Sequence, residues 1–360
     1  MILRWQRRGN VGHRQGLNQK RLRAIGAFFI FQMSVNLRWA CGPFPMTSHY
    51  DTSESSEGDI SKGEMQDAIL RSGYLIELRV RQKMEESGFH VESSPAYADP
   101  LTGKSREYDL SAVTTFDLLG RDQTIDFLWA HLVVECENNI QPIVFFTPKS
   151  DFDHLISEAV KISGMPLKFP SENWAKNLPE LLEFEKFHHY WRWPVATQYC
   201  SFHRKNPKSP WIASHPEAHH QTFTSLINAL ESEMDEHFRL LAENKPGERQ
   251  SVNLSINYPL LILAGDILLA TQTAKGISLR QVSKVQLRKE LWHTGRRSVY
   301  HIDVITESHL GKYLDQIHNE IKSIRKLGQD KSAVIVEALT MCVAKVRSSP
   351  EQLRQVIEAI

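Results

Sequence analysis

The run Leu132, Val133, Val134, Glu135, Cys136, Glu137 limits the folds open to this chain more than any other stretch. Its apolar, β-branched start has the composition of a buried strand, and the expected strand spans residues 127–137. Side chains at i and i+2 of a strand leave the same face, so Glu135 and Glu137 point the same way. Carboxylates held that close repel and raise a pKa unless a cation, a proton or solvent offsets them. The strand end is therefore either a divalent-metal site or an ordinary solvated edge, and its neighbours in the fold decide which.

Order is expected to begin near Ser61, whose spacing to Glu64 is that of a capping box. Met65, Ala68, Ile69, Leu75, Leu78 and Val80 continue in roughly helical spacing to about residue 87, with Gly73 dividing the segment into two helices and Gly88 stopping it. A short strand at 89–92 follows, then a turn-rich stretch at 97–103. The next strand is expected at 105–113 with Asp109 in its middle, a hairpin near Gly120, and the 127–137 strand returning beside it. Residues 143–146 form a further strand, 151–163 a helix, and 165–215, dense in Pro, Trp, Phe and His, an irregular region. A long amphipathic helix is expected over 215–241. It is followed by an apolar run from Tyr258 to Ala270 that bends at Gly265 and Asp266, a strand at 299–306, and helices at 308–326, 331–346 and 350–359. This mixture predicts an α/β fold with a mixed sheet flanked by helices.

Composition sets the outer limits. With 360 residues, 41% hydrophobic and 24% charged, the chain can bury a sizeable core, and no apolar run reaches the length needed to span a bilayer. The net charge of +1 hides an asymmetry: residues 1–50 carry eight basic and no acidic side chains, leaving 35 basic against 42 acidic in the remainder. A body of that sign offers no global field to nucleic acid, so phosphate contacts must come from a local patch. Residues 1–60 are read as a disordered arm or a start upstream of the natural one at Met33 or Met46. The four scattered cysteines point to reduced thiols and a cytoplasmic setting.

Three segments taken together carry a resemblance. Glu77 in the early helix, then Ser105, Arg106, Glu107, Tyr108, Asp109, then Val133, Val134, Glu135, Cys136, Glu137, resemble the PD-(D/E)xK superfamily of restriction-endonuclease-like proteins. The lead-in Ser87, Gly88, Phe89, His90, Val91 and the turn Asp99, Pro100, Leu101, Thr102, Gly103, Lys104 resemble its Mrr-like members. The resemblance covers about residues 64–147. It implies a core of one helix, a three-strand meander, a second helix and a further strand, here as a single domain over 61–360 with an insertion at about 165–250. It also implies Asp109 and Glu135 as ligands of Mg²⁺ or Mn²⁺, Glu77 in support, and a nuclease acting on nucleic acid, DNA first, with homodimerisation left open. Glu137 occupies the position of the family's lysine, which orients the attacking water. Lys104 and Lys149 are the cations that could reach the site from elsewhere. A nuclease fold that has lost activity and binds nucleic acid or a protein partner is the alternative.

Other groups rank lower. His188, His189, Cys200 and His203, followed by His215, His219 and His220, suggest zinc, but their spacing matches no standard pattern. The aromatic run at 184–193 is expected to pack the insertion onto the core rather than stack bases. The basic residues Arg280, Lys284, Arg288, Lys289, Arg296 and Arg297 are either a phosphate-contact patch or a solvated helix face.

Overall fold

The computed structural model describes residues 60–99, 102–120, 126–139, 141–148, 159–164, 168–169, 176–214, 217–242, 253–293 and 296–337. The expected N-terminal arm, most of the 151–163 helix and the final helix at 350–359 lie outside the described residues, as does most of the 331–346 helix. Residues 60–360 form one compact unit.

Helix α1 (Lys62–Arg71) starts on the expected capping box: Glu64 N–H donates to Ser61 Oγ at 3.2 Å, and Ser61 N–H donates to Glu64 Oε2 at 2.9 Å. A break at Ser72 and Gly73 separates it from α2 (Tyr74–Glu86), which buries Ile76, Val80 and Met84 at four-residue spacing. Gly88 then takes a left-handed φ of 86°, which ends the helix. Strands β1 (His90–Ser93), β2 (Leu110–Asp117) and β3 (Phe127–Glu137) form an antiparallel meander in the order β1-β2-β3.

After β3 the chain leaves through β4 (Ile143–Phe146) and β5 (Gln198–His203) and returns in α3 (Glu217–Ala242). That helix is the crossover to β6 (Asn253–Leu263), which lies parallel to β3 over its whole length, from Asn253 opposite Phe127 to Leu263 opposite Glu137. Leu254 through Leu263 are all buried, and Leu128, Ala130, Leu132, Val133 and Val134 of β3 are below 1% exposed. A continuous apolar run on neighbouring parallel strands is what coverage of both sheet faces requires. Each such Leu, Ile or Val contributes about 1.5–3 kcal/mol relative to exposure.

Beyond β6 the chain forms β7 (Ile267–Thr273), β8 (Gly276–Val282), β9 (Lys284–His293) and β10 (Arg296–Thr306), then α4 (Leu310–Asp330). The large mixed sheet continues from β6 to β10, β9 and the short strand Val195–Ala196. Lys161–Ser163 pairs with the first half of β6. A second, five-stranded sheet runs from Ile212–Ser214 through β5, β4, β7 and β8. The fold is thus α/β, with a large mixed sheet flanked by helices.

Three local expectations are corrected. The 105–113 strand is two: Ser105–Glu107 pairs with Ala96–Ala98 in a separate ribbon, and β2 begins at Leu110. Residues Lys161–Ser163 are strand rather than helix, because they extend the sheet beside β6. The basic residues at 280–297 lie on β8, β9 and β10, not on a helix. Within them Glu290 is paired with both Arg288 and Arg297, which reduces the free charge of the patch.

Candidate functional site

The geometry at the end of β3 follows from its register with β2. Leu110 stands opposite Val134 in an antiparallel ladder, so Asp109, one residue before β2, comes level with Glu135. Asp109 sits in a break between strands rather than in mid-strand. Its Oδ2 accepts the Cys136 N–H at 2.7 Å, taking a donor that a strand carbonyl would otherwise take. Its carbonyl accepts Ser94 N–H at 2.8 Å, and the buried Tyr108 beside it anchors the crossing from ribbon to sheet. Helix α3 covers the Glu135 face and supplies two further groups. Ser225 hydrogen-bonds the Glu135 carboxyl and the Tyr97 hydroxyl, the latter at 3.1 Å. His219 Nδ1 lies 2.7 Å from Glu137 Oε2, a close contact off the angle of a well-formed hydrogen bond.

All four expected carboxyls meet here, and burial among like charges raises Glu135, Asp109 and Glu77. Burial lifts the Glu135 carboxyl to about 9, helped by the Asp109 charge and the hydrogen bond between the two, with Ser225 opposing. Burial also raises Asp109, and Glu137 adds to it, while the Cys136 N–H and the Glu135 hydrogen bond pull it down. Glu77 on α2 is raised by burial and by the Asp109 charge. Asp109 and Glu135 therefore behave as a dyad sharing a proton, whose two titrations belong to the pair. Among the described residues no lysine or arginine forms an ion pair with any of the four. Lys104 is exposed, and Lys149 lies outside the described residues. Hard, partly buried carboxylate oxygens without a fixed cation are a donor set that suits Mg²⁺ or Mn²⁺.

The residues weighed for zinc, and discounted on their spacing, do not converge as a group. Cys200 lies in the second sheet and His203 bonds Ser214, whereas His188 and His189 are fully buried against the large sheet and α4. His189 Nε2 lies 2.8 Å from Asp303 Oδ2 and its Nδ1 lies 2.9 Å from Glu320 Oε1. Burial alone would lower His189, but Asp303 and Glu320 outweigh it and hold it up at about 10. Burial lowers His188 to about 3, only partly opposed by Glu320. Phe184, Tyr190 and Trp193 are buried, so the aromatic run packs as expected.

Sequence reasoning missed His219, Ser225, Asp303 and Glu320 as partners. His219 had a visible signal in its histidine-rich setting, but its carboxylate lies 82 residues away and only the crossover helix reveals the pairing. No family model, no curated protein and no solved structure matches this chain. No helix among the described residues is long and apolar enough to cross a membrane.

Proposed function

We propose that this chain is a Mg²⁺- or Mn²⁺-dependent nuclease that hydrolyses phosphodiester bonds in nucleic acid, DNA first, with Asp109 and Glu135 as the metal ligands. The observation that carries this reading is the juxtaposed Asp109–Glu135 pair, set by strand register at the end of a buried parallel strand. The order helix, three antiparallel strands, crossover helix, parallel strand supports it, since the PD-(D/E)xK resemblance implies that order. Cys136 and Cys200 are free thiols, in keeping with a reducing, cytoplasmic setting.

A divalent cation at the pair would neutralise charge on the scissile phosphoryl group and lower the pKa of a bound water. The remaining work falls to the chain. The Cys136 N–H fixes the Asp109 carboxylate, and Ser225 fixes Glu135, so both ligands are held before any cation arrives. Glu77 on α2 adds a further carboxyl beside Asp109, and its own burial and the Asp109 charge raise it. Glu137, where the resemblance puts lysine, is held against His219, so the imidazole stands near the position of the absent ammonium. Glu135→Ala is expected to lower metal-dependent cleavage of labelled oligonucleotides by about 10³-fold or more, several kcal/mol of barrier, and to remove Mn²⁺-induced thermal stabilisation. A wild type that neither cleaves DNA or RNA nor is stabilised by Mn²⁺ sinks the nuclease reading.

A second reading, a nuclease fold that binds nucleic acid or a protein partner without turnover, is favoured by one observation: Glu137 in place of lysine. Cleavage assays on Glu137→Lys separate the two. Cleavage that appears only in the variant marks a site that has lost one group. Cleavage by the wild type excludes this second reading.

A further inference from the structure

We propose that His188, His189 and Glu320 form a second metal site, of the Zn²⁺ class, that clips the 138–216 excursion to α4 and the large sheet. One donor atom from each residue lies within 4.8 Å of the others, and all three side chains are buried. Two imidazoles and a carboxylate are a donor set for Zn²⁺ rather than Mg²⁺. It is distinct in chemistry and in residues from the carboxyl pair at Asp109.

Two features of the cluster point to a cation. First, His188 Nε2 is fully buried without a hydrogen-bond partner and stands 3.8 Å from Glu320 Oε2. A buried orphan of this kind costs free energy unless something sits against it. Second, His189 presents Nδ1 to Glu320 while Nε2 donates to Asp303, and Asp303 in turn accepts from the Tyr313 hydroxyl at 2.7 Å. A carboxylate behind the distal ring nitrogen is how metal-bound histidines are oriented.

Access is available on one side. Glu320 lines a groove of about 630 Å³ together with Gln316, Asn319, Lys284 and Trp193, and Gln316 donates to Glu320 Oε1 at 3.1 Å. That side leaves a fourth position for water, completing four-coordination. Ligation through His188 Nε2 puts the ring proton on Nδ1 and releases the contact from Tyr190 N–H, which at 3.2 Å is a long bond.

The test uses the full chain purified without chelator, with Zn²⁺ alone as the probe. Wild type is expected to retain one Zn²⁺ per chain by elemental analysis and to melt several degrees higher with Zn²⁺ than after chelation. It should also give a visible d–d spectrum with Co²⁺. His188→Gln should abolish all three; because the buried ring also accepts Tyr190 N–H and stacks on Phe184 and Tyr258, each protein's Zn²⁺ shift is read against its own chelated melt. Asp303→Asn should weaken Zn²⁺ binding about 10–100-fold. Asp109→Asn should leave the Zn²⁺ response intact, so failure of the nuclease reading and failure of this site are separable. A wild type that holds no Zn²⁺ and does not shift, or a His188→Gln protein that responds as wild type does, overturns the proposal.

Discussion

Glu135 is where burial and charge conflict most openly. Its folded-state pKa of about 9 lies above the ordinary carboxylate value near 4.5, so its contribution to stability is full below the unfolded pKa and is lost as pH rises through about 9. Metal-free wild type should therefore lose stability between about pH 5 and 9, with a slope of up to ~1.4 kcal/mol per pH unit where a full proton is released. Glu135→Gln keeps the shape and removes the charge, so its thermal melts should show a flatter pH profile and a higher Tm than wild type at pH 8–9. Identical profiles would mean that the carboxyl is not held as described. The same-face carboxylates were legible from two-residue spacing alone. The pairing of Glu135 with Asp109 was not, because it depends on which residue of β2 comes opposite Glu135.

At the scale of elements, the turn between β6 and β7 locks the site's exit. Gly265 N–H donates to Asn139 Oδ1 at 2.9 Å, and a Cβ built at Gly265 would lie 2.6 Å from the Asn139 carbonyl oxygen, which is backbone and cannot swing away. Gly265→Ala should cost about 1–3 kcal/mol, read as a lower urea midpoint. It should also disturb the loop that follows Glu137, lowering metal-dependent activity beyond the stability loss. The turn itself was visible as Gly265 and Asp266 breaking an apolar run. Its consequence, that the chain passes there from one sheet to the other, was not. The capping box at Ser61 and the paired helices either side of Gly73 were legible because their determinants lie within three or four residues. The strand that begins at Leu110 rather than at Ser105 was misread because a contact 27 residues away, from Cys136 to Asp109, sets its start.

For the whole molecule, two chemistries are built at different places on one sheet. The carboxyl cluster lies at the end of β3, drawn from α2, the entry to β2 and β3 itself. The His188, His189, Asp303 and Glu320 cluster ties the excursion after β3 to β10 and α4. The first was readable as a pattern because three of its acids fall on one strand or at the entry to its neighbour, close in sequence. The second was not, since its imidazoles and carboxylates are more than 110 residues apart and meet only once β10 and α4 are in place. The most direct measurement is a crystal of the wild-type chain soaked in Mn²⁺, with anomalous data collected. An anomalous peak between the carboxylates of Asp109 and Glu135, with their mutual hydrogen bond gone, is the predicted result. The same two side chains still hydrogen-bonded to each other at saturating Mn²⁺, with no peak between them, would contradict it.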